Sequence, residues 1–221
     1  MTTANGETIA FSYDKLKRLE TISGVTGQKY IYRDIDNTKT TTQISDITYT
    51  GVTDNLKLSY IYDAGGNIDS IKQNNKTIVE YSYDAQNQLV EENLPMQHIR
   101  YEYVYDTCHN IRQVKKYENG STTPTVTEYG YENADWLDLL TSYNGQAITY
   151  DNIGNPLTYN NGTAWTFTWQ GAHDLATATA NGQQIAFHYD MDGVRDNKTI
   201  KSYLKGKFYY KIPRLWKWLR S

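Results

Sequence analysis

Six Tyr-Asp pairs recur along the chain, at Tyr13-Asp14, Tyr62-Asp63, Tyr83-Asp84, Tyr105-Asp106, Tyr150-Asp151 and Tyr189-Asp190. Random order of its 21 Tyr and 16 Asp would produce about 1.5 such pairs, so the excess is a pattern. Tyr62 to Tyr83 spans 21 residues and Tyr83 to Tyr105 spans 22. Tyr150 and Tyr189 lie 39 residues apart, with Trp169-Gln170 as a worn copy between them. Tyr131-Glu132 is another, 19 residues before Tyr150. A period of roughly twenty residues marks a repeat architecture, in which each unit covers a face of its neighbour.

Aligned on the pair, the residues ahead of it read Ile9, Phe11, Tyr13; Leu58, Tyr60, Tyr62; Val79, Tyr81, Tyr83; and Tyr101, Tyr103, Tyr105. Trp165, Phe167, Trp169 and Ile185, Phe187, Tyr189 continue the series. The spacing i, i+2, i+4 places each trio on one face of a β-strand. Between them stand mostly small or polar residues: Ser12, Ser59, Glu80, Ser82, Glu102, Thr166, Thr168 and His188. That alternation predicts strands buried on one side, with Ile61 and Val104 as exceptions on the outer face.

A turn follows the pair. The fourth residue past the aromatic is Lys17, Gly66, Asn87, His109, Asp135, Gly154, His173 or Gly193. Gly, Asn, Asp and His tolerate positive φ, so seven of these eight fit a left-handed turn position, Lys17 excepted. A carboxylate that opens such a turn accepts hydrogen bonds from backbone N–H groups just ahead of it. That is the role expected of Asp14, Asp63, Asp84, Asp106, Asp151 and Asp190. A hydrophobic residue two places beyond the turn, such as Leu19, Ile68 or Leu89, begins a return strand. Asn119-Gly120, Asn144-Gly145, Asn161-Gly162 and Asn181-Gly182 then close the units as hairpin turns. The predicted fold is all-β: an array of hairpins forming a curved, twisted antiparallel sheet.

The pattern Tyr-x-Tyr-Asp-x-x-Gly-Asn-hydrophobic, complete in Tyr60-Ile-Tyr-Asp-Ala-Gly-Gly-Asn-Ile68, resembles the YD repeat of Rhs proteins. That family includes the wall-associated Rhs proteins of Gram-positive bacteria, the C component of insecticidal toxin complexes and the animal teneurins. Trp165-Thr-Phe-Thr-Trp-Gln170 through Leu175, followed by Tyr189-Asp-Met-Asp-Gly-Val-Arg195, is similar to the last repeats before the Rhs core. The resemblance spans roughly residues 9–203. It implies a β-ribbon that spirals into a hollow shell, enclosing a C-terminal toxin in bacterial members and carrying no chemistry in its repeats. The repeat-defining positions it implies are Tyr13, Asp14, Tyr62, Asp63, Gly66, Asn67, Tyr83, Asp84, Tyr105, Asp106, Tyr150, Asp151, Gly154, Asn155, Tyr189, Asp190 and Gly193. The chain lacks the Pro-x-Asp-Pro-x-Gly motif of the Rhs core and has too few repeats to close a shell. It therefore reads as a fragment of a longer Rhs protein, whose remaining repeats, core and toxin domain are its expected partners. The family also implies an extracellular or cell-surface parent used in bacterial competition or host contact.

Residues 1–203 form the expected repeat array, with 27–57 a degenerate section of longer strand or insertion around Tyr30-Ile-Tyr-Arg-Asp34. Residues 204–221 form a basic, Trp-rich tail, with a short helix expected from Pro213. A net charge of −3 argues against a nucleic-acid partner for the body of the chain. Its N-terminus carries no signal-peptide pattern, and no apolar run approaches transmembrane length. Cys108 is alone, and His98, His109, His173 and His188 have no partners at metal-ligand spacing. No catalytic residue, metal or cofactor is expected. A carbohydrate-binding surface built from exposed aromatics is the alternative to the shell. An isolated fragment, with open strand edges, is expected to self-associate.

Overall fold

The computed structural model describes residues 2, 6, 8–36, 39–51, 56–204 and 207–211, with Asp36, Tyr203, Leu204 and the last five as backbone. Among them every element is a β-strand. The first strands are β1 (Ala10–Tyr13), β2 (Leu19–Ser23), β3 (Gly27–Asp36), β4 (Lys39–Thr50), β5 (Leu56–Tyr62), β6 (Ile68–Gln73) and β7 (Lys76–Tyr83). Then come β8 (Leu89–Leu94), β9 (Ile99–Tyr105), β10 (Ile111–Glu118), β11 (Thr125–Gly130), β12 (Ser142–Tyr143) and β13 (Gln146–Ala147). The last are β14 (Thr158–Asn160), β15 (Ala164–Gln170), β16 (Asp174–Ala180), β17 (Gln183–Tyr189), β18 (Arg195–Leu204) and β19 (Lys207–Lys211). Strands β1 to β13 are hydrogen-bonded in sequence order as one sheet, and β14 to β19 as another. Each strand thus pairs with its chain neighbours, which is what a hairpin array requires, and the linear order leaves both sheets open.

The chain divides into two units, Met1–Val104 with Val114–Val126, and Tyr105–Gln113 with Thr127–Ser221. In the first, Val79 is 6% exposed and anchors the aromatic face of β5 to β7. In the second, Ile148, Ala178 and Ala180 are buried, and the rings of Tyr129, Tyr143 and Tyr159 touch in series at 5.5 and 5.4 Å. Most trio aromatics are half-buried, as a sheet with one covering layer at most requires. Strand β15 shows the predicted alternation cleanly, with Trp165, Phe167 and Trp169 half-buried and Thr166 and Thr168 exposed. The first copy differs: Phe11 is 48% and Tyr13 59% exposed.

One regularity of the ladders has no counterpart in the sequence pattern. The motif aromatic pairs with the residue six places on: Tyr13 with Leu19, Tyr62 with Ile68, Tyr83 with Leu89, Trp169 with Leu175 and Tyr189 with Arg195. Just before it the register slips in all five hairpins. The return strand therefore carries one extra residue at Glu20, Asp69, Val90, Ala176 and Asp196, a recurrent β-bulge that adds local twist.

The degenerate section forms β3 and β4, strands of 10 and 12 residues whose ladder shifts register three times. The backbone of Lys207–Lys211, within the segment read as a tail, pairs with β18. The helix expected from Pro213 lies outside the described residues.

The recurrent Tyr-Asp turn as candidate functional site

The same turn is built at all six Tyr-Asp pairs. The N–H three residues after the aspartate donates to its carbonyl: Lys17 to Asp14, Gly66 to Asp63, Asn87 to Asp84, His109 to Asp106, Gly154 to Asp151 and Gly193 to Asp190. The aspartate N–H donates in turn to the carbonyl four places on, from Asp14 to Arg18 through Asp190 to Val194. Its side chain fills the loop. Oδ1 accepts from the N–H four residues ahead at 2.8–2.9 Å in every copy. In five it also accepts from the N–H two residues ahead. Only a short acceptor at this position reaches both donors, so Asp opens the turn.

The fourth position past the tyrosine has φ of 65° at Lys17, 88° at Gly66, 60° at Asn87, 68° at His109, 89° at Gly154 and 74° at Gly193. Lys17, expected to be the exception, adopts the left-handed conformation because the carboxylate cap holds the loop. In the worn copies the turn is rebuilt: Asp135 and His173 are not left-handed, and Gly171 and Ala172 take positive φ instead. Asn133 accepts there from the N–H groups of Asp135 and Trp136, replacing the missing motif aspartate. The closing turns at Asn119, Asn144 and Asn181 have φ of 54°, 48° and 50°. An Asn74-Asn75 turn does the same without a glycine, at 47° and 69°.

In four of the six copies the motif tyrosine ties its turn to the preceding hairpin. Tyr62 donates its hydroxyl to the Ile44 carbonyl at 2.7 Å, Tyr83 to Ile68 at 3.0 Å, Tyr150 to Leu140 at 2.6 Å and Tyr189 to Leu175 at 3.3 Å. Tyr32 reaches Leu19 at 2.8 Å in the degenerate section, and Trp169 Nε1 reaches Pro156 at 2.8 Å. Tyr105 is half-buried in β9. A phenylalanine would bury similar area but leave that carbonyl unpaired, which explains tyrosine at this position.

The residue four after the aspartate ties the turn to the following one. Asn67 Nδ2 donates to Asp63 and to Asn87 Oδ1, Asn110 to Asp106 and the Leu137 carbonyl, and Asn155 to Asp151 and the Ala172 carbonyl. Arg18 does the same with a longer reach, binding Asp14 and then Thr40 Oγ1 and the Thr41 carbonyl. From the degenerate section Gln43 donates to the Gly66 carbonyl at 2.8 Å.

At four of the motif carboxylates, Asp14, Asp63, Asp106 and Asp151, these donors favour the ionised form. The Asn67 side chain and backbone N–H keep Asp63 below its ordinary value. At Asp14, Asp106 and Asp151 partial desolvation pushes the pKa upward, and hydrogen bonds from Arg18, Asn110 and Asn155 outweigh it. A carboxylate with a depressed folded pKa stabilises the fold above its unfolded value and loses that contribution as pH falls through the folded value. The midpoint of thermal unfolding should therefore change little above about pH 5 and drop as pH falls below the ordinary carboxylate pKa. Circular dichroism melts from pH 7 to pH 2 check this, and a flat curve down to pH 2 would refute it. Among the described residues no group of three or more His, Cys, Asp or Glu converges as a metal site.

The fold and its turns define a class: an all-β array of hairpins locked by a Tyr-Asp turn. Within solved structures the chain is similar in fold to the Tc holotoxin pore of Photorhabdus luminescens, with a TM-score of 0.66 at 17% identity. That match covers 94% of this chain and 12% of the other. The TcdB2-TccC3 complex matches with a TM-score of 0.66 at 17% identity, over 95% of this chain and 13% of that one. These toxin chains carry Rhs/YD-repeat shells, and the fold resemblance expected from the motif holds. In sequence, the tRNA nuclease WapA of Bacillus subtilis is 30% identical over 111 residues, 49% of this chain and 4% of the relative. No family model matches the chain.

Proposed function

We propose that this chain is a non-enzymatic structural segment of a longer Rhs/YD-repeat protein. In this reading its hairpins form part of the wall of a β-shell that encloses or presents a C-terminal toxin, exported to the cell surface or beyond. The carrying observation is the two-way linkage of the turns. Tyr62, Tyr83, Tyr150 and Tyr189 bond backward to the previous hairpin, and Arg18, Asn67, Asn110 and Asn155 bond forward to the next turn. Such a device positions neighbours and leaves the turn's polar groups occupied by one another, which suits a wall better than a catalytic cleft. The positions Tyr13, Asp14, Tyr62, Asp63, Gly66, Asn67, Tyr83, Asp84, Tyr105, Asp106, Tyr150, Asp151, Gly154, Asn155, Tyr189, Asp190 and Gly193 carry this structural role.

The exposure of Phe11 and Tyr13 supports a further hairpin as the partner on that side. By the rule of the other copies, the Tyr13 hydroxyl would donate to a carbonyl of that preceding unit. With these rings uncovered the isolated chain self-associates, which light scattering against concentration reads. The decisive test is the coding DNA on both sides of the region. Further Tyr-Asp repeats in frame, with a core motif and a variable domain downstream, are the expected result. A promoter and stop codons bracketing these 221 residues would refute the shell. Trp fluorescence quenched by oligosaccharides would then favour the carbohydrate-binding surface.

A further inference from the structure

The β-bulge before Tyr83 places a carboxylate where the hairpin pattern puts apolar side chains. Tyr83 pairs with Leu89, Ser82 with Glu91 and Tyr81 with Glu92, so Val90 is the extra residue. On the other side Glu92 pairs with Tyr101, and Glu91 with Glu102. Directly paired residues share a face. Glu92 therefore lies on the aromatic face, between Tyr81 and Tyr101 on the adjoining strands, while Glu91 lies on the outer face.

The two carboxylates are treated differently. On the outer face Arg100 Nη1 bridges Glu91, at 2.9 Å, and Glu102, and its guanidinium lies 4.1 Å from the centre of the Tyr117 ring. Tyr117 also donates to Glu102 at 2.9 Å. That face holds its own cation. On the aromatic face, Glu92 Oε2 accepts from the Tyr103 hydroxyl at 3.0 Å. Lys116, close enough to Tyr101 for their charges to interact, is engaged by Glu118 at 2.7 Å. Tyr81 feels the charge: burial first and Glu92 second raise the pKa of its hydroxyl.

We propose that Glu92, with Tyr81, Tyr101 and Tyr103, seats a lysine or arginine side chain of an extended basic polypeptide on the aromatic face of the sheet. Charge complementarity selects the occupant. An ionised carboxylate offers roughly four acceptor sites, and one tyrosine hydroxyl fills a single site. Paired strands lie about 4.8 Å apart, so a cation on Glu92 stands within the roughly 6 Å at which aromatic rings attract it. The aliphatic stem of lysine or arginine packs on the same rings while its head meets the carboxylate. A neutral or acidic segment would leave the half-buried Glu92 charge without a counter-charge, which is costly. Identifying the occupant with enclosed cargo rests on the shell reading, but the site itself does not.

Calorimetric titration of the whole chain with a hexalysine peptide at low ionic strength tests the site. Glu92→Gln keeps an acceptor for Tyr103 and removes only the charge, so the fold should persist; it should weaken hexalysine by about tenfold. Glu91→Gln removes the same charge from the opposite face and should change the affinity less than about twofold. Tyr103→Phe, which leaves the carboxylate in place, should retain binding. Equal losses in Glu91→Gln and Glu92→Gln would overturn the proposal in favour of general attraction to an acidic chain. Absence of heat with the unaltered protein would also overturn it. Neither result bears on whether repeats flank this region in the DNA, so the two readings fail separately.

Discussion

Asn155→Ala should destabilise the chain by about 2–3 kcal/mol, as the loss of several hydrogen bonds at a buried polar residue predicts. Asn155 is 4% exposed. Its N–H and Nδ2 donate to the two oxygens of Asp151 at 2.9 and 2.8 Å, and Nδ2 donates again to the Ala172 carbonyl at 2.6 Å. Its Oδ1 lies 2.7 Å from His173 Nδ1. Both donor hydrogens of the amide are committed to oxygens, so Oδ1 is the acceptor and His173 carries its proton on Nδ1. Alanine keeps the backbone bond and strands three groups at once: the Asp151 Oδ2 atom, the Ala172 carbonyl and the His173 ring. The unfolding midpoint should fall by roughly 5–10 °C in a chain of this size. A fall of under about 1 °C would show that the joint between the two turns contributes nothing.

Gly154→Val should cost about 2–3 kcal/mol, the range for a β-branched residue forced into the left-handed region. Gly154 has φ of 89°, and a Cβ there would stand 2.6 and 2.7 Å from two atoms of the Trp136 ring. Trp136 is 48% exposed, so its ring can leave, and the substitution should shift tryptophan emission to longer wavelength as well as lower stability. Gly66→Val separates the two causes. Its φ is 88°, and the nearest atom to a new Cβ is Gln43 Nε2 at 3.2 Å. That variant should lose similar stability without the emission change. Equal emission shifts in both would show that Trp136 does not report on the Gly154 turn.

Both variants probe positions whose roles differ in how far they could be read from the residues. The turn itself was legible. Asp at its opening and Gly or Asn in its left-handed position act on groups within about four residues, so their chemistry is written locally. Lys17 shows the boundary of that reading, since propensity argued against a left-handed lysine and the Asp14 cap and the Arg18 contacts impose it. Asp135 and His173 show the reverse: residues that tolerate positive φ, in copies lacking the aspartate, do not adopt it. The backward bond of the tyrosine hydroxyl and the forward reach of Asn67, Asn110 and Asn155 join groups 10 to 27 residues apart. Periodicity marks those residues without naming their partners.

By itself, the sequence determined the repeat, its strand-turn-strand unit, the face occupied by each aromatic trio and the residues that bend the chain. Each of these follows from short-range sterics and from the alternation of side chains along a single strand. Only the tertiary structure decided which way the return strands face. Counting alternately from Leu89 would set Glu91 among the aromatics and Glu92 outside, and the bulge at Val90 exchanges them. A bulge is a property of two paired strands: the extra residue exists only relative to a partner's register, so no pattern within one strand contains it.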